Sequence, residues 1–463
     1  MTAAPLNDPV DEVPVDPARA RVYAEGWQSW SPATWYPAAA TGLRPDEDWQ
    51  HTMRFRPGTP IAHDALQGEG VLVVDPGDGS PARCYGAADP VAVPTITATL
   101  VDDCVLVRSA GPVEATQGAD AETVLAAYAD GFARRAGAST LAVPPTVWCS
   151  WYRYFEQVTA DDVLENLHSF DDHELLVDVV QVDDGWSPGL GEGLVVAERF
   201  GSLEAVLDEV RETGRRAGIW VAPFLVGARS TLATEHPDWL TGPAGRNWGD
   251  DLVGLDLTHY GVLDLIAETF TRLVDLGVDY LKLDFLYAGA VPVHEHGRRA
   301  EDMTGEEAYR SGLSLIREVV GPEVYLVGCG APLLPSVGLV DAMRVSPDTF
   351  HEGGEDGSRG LRGLMPLAAR AWQQGRFWVN DPDCLVARPT YAERERWADA
   401  VTDLGGLASF SDRVADLDGR GLRSVRDLLA SGSTNEPFSA DTVRHGALVA
   451  AGELAGRQGA ARE

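Results

Sequence analysis

Lysine is almost missing from this sequence. One residue of 463, Lys282, carries an ammonium side chain, and every other basic residue is arginine. Lys and Arg together number 37 against 71 Asp and Glu, which leaves a net charge of −34. A chain this acidic offers no basic face to phosphates, so wrapping of nucleic acid is excluded. An anionic membrane surface is disfavoured for the same reason. Cysteine is scarce too: Cys84, Cys104, Cys149, Cys329 and Cys384 are odd in number and show no CxxC spacing. That argues against a disulfide framework or a thiolate zinc site and points to reduced thiols in a cytoplasm. No apolar run reaches the roughly 18 residues of a membrane span. Residues 1–8 hold neither a basic nor an apolar signal region, so no signal peptide is expected.

What is present is a core. Hydrophobic residues make up 44 % of the chain, and 13 Trp, 12 Tyr and 12 Phe exclude disorder as its dominant state. Residues 1–19 are acidic and proline-rich and read as a disordered arm. Residues 20–118 hold short β-type runs bounded by Gly, Pro and Asp, the pattern of a small antiparallel β-sandwich domain. An Ala-rich amphipathic stretch within 119–144 reads as a linking helix. From 145 to 432, eight apolar runs of strand length alternate with helical periods: 147–151, 177–182, 219–223, 280–283, 324–327, 342–345, 377–379 and 407–410. Candidate caps at Thr159 and Ser202, and glycines after most helical stretches, supply the punctuation. This is an α/β pattern that fits a (β/α)8 TIM barrel. A doubly wound open sheet is the alternative, but no Gly-rich dinucleotide loop follows the first strand. Residues 433–463 read as a short, polar C-terminal extension.

A barrel enzyme builds its site from whatever ends each strand at the C-terminal side. Here the ends carry Asp183-Asp184-Gly185-Trp186, Trp220, Lys282-Leu-Asp284, Gly328-Cys329-Gly330, Arg344 with Asp348, and Asn380-Asp-Pro-Asp383. Carboxylates accept hydrogen bonds from hydroxyls and an indole face receives the C–H face of a pyranose, so this rim suits a sugar. Lys282 and Asp284 stand two apart and share one side of their strand. The ammonium favours an ionised carboxylate beside it, and such a carboxylate is a competent nucleophile at an anomeric carbon. The lone lysine strengthens this reading. A composition that uses arginine wherever arginine serves keeps a lysine where a compact charge on a thin stem is required. Asp348, four residues after Arg344, is a candidate general acid/base. A retaining glycosidase needs two such carboxyls about 5–5.5 Å apart. Asp381 and Asp383 either touch sugar or order the rim through side-chain to backbone bonds. Cys329, between two glycines, allows a close backbone approach. His294-Glu-His296 with His351 reads as solvated loop, not as a metal site.

Six segments then stand in an informative order: Val182-Asp-Asp-Gly-Trp186, Gly218-Ile-Trp-Val-Ala-Pro223, His236-Pro-Asp-Trp239, Leu255-Asp-Leu257, Asp279-Tyr-Leu-Lys-Leu-Asp284 and Arg344-Val-Ser-Pro-Asp348. Together they resemble the melibiase-type α-galactosidases of glycoside hydrolase families 36 and 27. Gly26-Trp-Gln-Ser-Trp-Ser-Pro32 also resembles the Trp-rich motif of the family 36 sandwich domain. The resemblance implies Asp284 as nucleophile and Asp348 as acid/base. It implies Asp183, Asp184 and Lys282 on the axial and primary hydroxyls of galactose, Arg344 and Cys329 beside the sugar's second carbon, and Trp220 lining the pocket. Trp30, or Trp27, would reach in from the sandwich. The implied activity is that of a retaining exo-acting α-galactosidase on a small carbohydrate substrate, without metal or organic cofactor. The sequence departs from the family pattern at Leu283, where Trp is usual, and at Phe285-Leu-Tyr287. Other sugars or acceptors on the same fold (an α-N-acetylgalactosaminide, a β-L-arabinopyranoside, a galactosyl transfer) are the alternatives, with a non-catalytic sugar-binding relic behind them. A homo-oligomer remains open.

Overall fold

The computed structural model describes residues 9–45, 48–138, 141–247, 249–293, 298–350, 355–358 and 360–460. Two antiparallel sheets come first. One orders its strands Asp11–Pro14, Cys104–Ser109, Thr95–Val101 and Leu66–Glu69; the other orders Thr34–Pro37, Arg21–Ala24, Val71–Asp75, Ala82–Gly86 and Glu114–Gly118. Alternation in Cys104–Ser109 buries Val105 and Val107 against the second sheet's Val22, Leu72 and Tyr85 side of the core. Of the expected disordered arm, residues 1–8 lie outside the described residues and the remainder is corrected here. Asp11–Pro14 pairs with Cys104–Val107, and Asp11 bonds Arg83 at 2.8 Å and Tyr85 at 2.6 Å. Proline and acidic residues are tolerated because this is an edge strand. The linking stretch is helical over Ala121–Ala136, capped by Asp120, whose side chain accepts from Thr123 N, and stopped by Gly137 at φ 79°.

Eight parallel strands follow: Val147–Cys149, Val179–Val182, Arg216–Val221, Val278–Leu283, Tyr325–Gly328, Ala342–Arg344, Val379–Asp381 and Ser409–Phe410. Their hydrogen-bond order is seventh, sixth, fifth, fourth, third, second, first, eighth. The seventh and eighth meet where Gly406 N and Leu407 N donate to Asn380 O at 2.8 and 3.1 Å, which closes the barrel. Each expected apolar run supplied one strand. Thr159 and Ser202 cap their helices as read from sequence. Inside the barrel, Val147, Val179, Tyr280, Tyr325, Val327, Ala342, Val379 and Leu407 form a core of their own, with the Tyr280 and Tyr325 rings stacked at 5.7 Å. This plug fills the floor, so the chemistry is confined to the rim.

An inserted sheet and a C-terminal helix also went unread in the sequence. Between the third and fourth barrel strands lies a three-stranded antiparallel sheet, ordered Leu225–Gly227, Asp250–Leu255, Leu240–Asn247. Its apolar alternation is broken by Pro243 and by register shifts around it. The C-terminal extension carries the helix Ala440–Ala460, which buries Ala447, Ala450 and Leu454 and packs on the helix Leu364–Ala369 and the sandwich strand Thr34–Pro37. It braces the two domains against each other, where a polar tail was expected. Its alanine contacts carry too little hydrophobicity to stand out. Among the described residues, no helix is long and apolar enough to cross a membrane.

Candidate active site

The rim is set by strand register. Trp220 pairs with Lys282 across the third and fourth strands, and Arg344 pairs with Asp381 across the sixth and seventh. The Lys282 ammonium lies 2.9 Å from Asp183 Oδ2 and 3.9 Å from Asp284 Oδ2. Burial is the strongest influence and opposes its charge, but the carboxylates of Asp183 and Asp284 together raise the ammonium well above the usual lysine range. Asp284 accepts Trp220 Nε1 at 3.0 Å on Oδ2 and Phe285 N at 2.7 Å on Oδ1. Phe285 sits at φ 52°, a left-handed conformation unusual for a bulky residue, and this turn aims its N–H at the carboxylate.

Asp183 is fully engaged. Its oxygens accept Gln181 Nε2 at 2.6 Å, Asp184 N at 2.9 Å, Cys149 Sγ at 3.3 Å and Lys282 Nζ, and its own N donates to Ser150 Oγ at 2.9 Å. Asp184 is half-buried. Desolvation first, then the Asp183 charge, pushes its carboxyl up to about 7. The turn that presents the pair requires glycine next: at Gly185, φ 116°, a Cβ would lie 2.8 Å from the Glu156 backbone.

On the opposite side, Arg344 contacts Asp383 at 2.7 Å, Asp348 at 3.2 Å and Asp381 at 3.4 Å. Asp348 keeps 34 % of its side chain exposed, so it opens toward the cleft. Surrounding protein still desolvates it and lifts its carboxyl to about 6, against the pull of Arg344. Cys329 is wholly buried at the end of the fifth strand, and burial, then Asp284, pushes its thiol well up. Trp30 comes from the sandwich. Its ring meets Phe285 at 5.3 Å and Tyr287 at 5.9 Å, and it lies against Gly330. Trp27 instead packs beneath Arg56, at 4.6 Å.

Asp183, Asp184, Trp220, Lys282 and Asp284 thus form one cluster, and Arg344 with Asp348 another, with Cys329 and Trp30 beside them. Sequence reasoning did not assign roles to Ser150, Gln181, Tyr152 or Thr349. Tyr152 lies just past the first strand, which is the one signal that marks it. Among the described residues, no group of three or more His, Cys, Asp and Glu could hold a metal ion. His294-Glu-His296 and His351 lie outside the described residues.

A parallel eight-stranded barrel whose rim gathers carboxylates, one ammonium and indoles defines the (β/α)8 class of carbohydrate-active enzymes. The Melibiase family model matches residues 142–320. The structure resembles TtGalA, an α-galactosidase from Thermus thermophilus solved with p-nitrophenyl α-D-galactopyranoside, at 32 % identity and a TM-score of 0.75, covering 89 % of this chain and 86 % of that one. The chain belongs to the melibiase family, glycoside hydrolase family 36. It is 31 % identical to an Escherichia coli α-galactosidase over 161 residues, 32 % of this chain and 22 % of that protein. It is 28 % identical to the bifunctional α-galactosidase/sucrose kinase AgaSK of Mediterraneibacter gnavus over 162 residues, 31 % of this chain and 17 % of that protein. The matched stretch therefore spans about a fifth of these curated relatives' length.

Proposed function

We propose that this chain is a retaining exo-acting α-galactosidase that hydrolyses terminal α-D-galactosides by double displacement. The observation that carries the reading is a pair of carboxyls in opposite settings. Asp284 has both oxygens oriented by N–H donors, with an ammonium 3.9 Å away. Burial lifts the Asp348 carboxyl to about 6, which favours its acid form. A carboxylate nucleophile and a carboxylic acid are the two partners a retaining glycosidase requires.

In the first step an Asp284 oxygen attacks the anomeric carbon. The bond to the leaving oxygen breaks, and Asp348 gives that oxygen its proton. In the second step water attacks the anomeric carbon, the bond to the Asp284 oxygen breaks and frees its carboxylate, and Asp348 takes the water's proton, so the α configuration is kept. Asp183, Asp184 and Lys282 hold the sugar's axial and primary hydroxyls. Trp220 lines one wall, Trp30 closes the approach from the sandwich, and Arg344 and Cys329 lie by the second carbon. No metal or organic cofactor enters this scheme. TtGalA was solved with an aryl α-galactoside and with stachyose, which supports this substrate class. Five unpaired cysteines support a cytoplasmic setting.

The test is a panel of aryl α-galactoside, α-N-acetylgalactosaminide and β-L-arabinopyranoside, assayed with the unaltered chain and two variants. The α-galactoside is expected to turn over. Asp284→Ala is expected to lose about three orders of magnitude or more. Asp348→Ala is expected to lose about 10²–10⁴-fold on a poor leaving group and less on a nitrophenolate. Turnover confined to another sugar, or undiminished in Asp284→Ala, overturns the reading.

A further inference from the structure

Asp383 follows the seventh strand and is wholly buried. It stands at φ 89°, in backbone territory that favours glycine. Two local bonds hold it there: Asp383 N donates to Asp381 Oδ1 at 2.9 Å, and Cys384 N donates to Asp383 Oδ1 at 2.8 Å. The same Oδ1 takes the Arg344 guanidinium at 2.7 Å. Oδ2 accepts Thr349 N and Thr349 Oγ1, both at 2.7 Å, together with the Tyr152 hydroxyl. A carboxylate with five donors and no exposure has nothing left for a substrate. What it grips is informative. Thr349 is the residue after Asp348, held by both backbone and side chain, and Arg344 is the cation that contacts Asp348.

We propose that Asp383 is a positioning residue that sets both the place and the charge environment of the proton donor Asp348, acting through Thr349 and Arg344. The inference rests on Asp348 being the acid/base. Asp383 competes for Arg344 and holds it more closely, at 2.7 Å, than Asp348 does at 3.2 Å. It thereby keeps the guanidinium from neutralising the acid's need for a proton. The other charged or titratable groups that face Asp348 are Lys282 and Asp284 from the fourth strand, Cys329 from the end of the fifth and Tyr152 from the segment after the first. None of them bonds Thr349 and Arg344 together.

Removing the Asp383 charge has a definite sign. A negative neighbour disappears, and Arg344 turns to its next carboxylates, Asp348 and Asp381. Both changes favour ionised Asp348, so its proton leaves at lower pH. For Asp383→Asn, the basic limb of kcat/KM is expected to move about one pH unit toward acid. The loss in rate is expected to grow with leaving-group basicity, from about 10-fold on a nitrophenyl galactoside to about 10²-fold on an alkyl galactoside. Thr349→Val removes one donor and no charge. It is expected to show the leaving-group dependence with a smaller movement of the limb.

The measurement is pH–rate profiles for both variants and for Asp348→Ala, on galactosides of graded leaving group, with thermal midpoints in parallel. Equal losses on every leaving group with an unmoved limb in Asp383→Asn would make Asp383 a merely structural residue and overturn the inference. If Asp383→Asn does not fold, Thr349→Val decides: a leaving-group dependence supports the inference and a flat loss overturns it. A flat response in Asp348→Ala itself would instead remove the acid/base assignment, and a steep one there with flat responses at 383 and 349 removes only this inference.

Discussion

Lys282 stands between Asp183 and Asp284, and its compact ammonium reaches both. A guanidinium would bring a planar fork and a longer reach into a space closed by Trp220 and Cys149, which explains why the composition keeps one lysine here. The neighbouring acids carry a cost of their own. Asp184 near 7 and Asp348 near 6 both titrate above the ordinary carboxylate range. Between about pH 4 and pH 7 these two carboxyls therefore bind more protons in the folded chain than in the unfolded one, and their contribution to stability falls as pH rises through that window. At neutral pH the Asp184 contribution is on the order of 3 kcal/mol against folding. Asp184→Asn is expected to raise the thermal midpoint at about pH 8 and leave it nearly unchanged at about pH 4, while galactoside binding is lost. Equal midpoints at the higher pH would contradict the assigned strain. These residues were legible because barrel strand ends must face the rim. The work of Ser150 and Tyr152 was not, because it lies in hydrogen bonds between strands that no local spacing announces, whereas Gln181 bonds Asp183 two residues on. Of the two readings of the seventh-strand acids, the contacts of Asp383 with Thr349, Tyr152, Cys384 N and Arg344 favour ordering of the rim for that residue.

At the level of elements, the junction of sandwich and barrel turns on one buried pair. Arg370 follows the helix Leu364–Ala369 and has no exposure. Its Nε meets Glu25 Oε1 at 2.9 Å, Nη1 donates to Ser29 O and Val345 O at 2.6 and 2.7 Å, and Nη2 donates to Ser31 O at 3.0 Å. Glu25 is further satisfied by Gln373 at 2.8 Å and Tyr23 at 2.6 Å. One guanidinium thus fixes the turn that carries Trp30 to the sixth barrel strand, beside Arg344. Removing one partner of such a pair leaves a charge buried alone. Arg370→Met is expected to cost about 3–5 kcal/mol, read as a lowered thermal midpoint, and to raise KM as Trp30 is released. A normal midpoint and KM would show that the junction is held elsewhere. A contact between residues 345 positions apart leaves no pattern in sequence. Apolar runs of strand length, by contrast, are local, so all eight barrel strands could be read. The inserted sheet, the edge strand Asp11–Pro14 and the C-terminal helix owe their form to what they pack on, and their own residues are too polar, too proline-rich or too small to declare it.

Across the whole molecule, a net charge of −34 sits on a fold whose proposed ligand is neutral. Charge of this sign keeps the protein soluble and repels anionic polymers, and it leaves recognition to hydroxyl–carboxylate bonds at the rim. In the proposed site the barrel supplies the acids and the sandwich supplies Trp30, so that site would be complete only with both domains in place. The central claim is that Asp284 forms a bond to the sugar. A fluorinated α-galactosyl fluoride tests it directly: ring fluorine slows both steps through the oxocarbenium-like transition state, while the fluoride leaving group keeps the first step fast enough to trap the ester. After brief reaction and peptic digestion, mass spectrometry is expected to find one fluorogalactosyl adduct, on the peptide containing Asp284, and none in Asp284→Ala. An adduct on Asp183, Asp184 or Asp348, or the same adduct in the variant, would contradict the account.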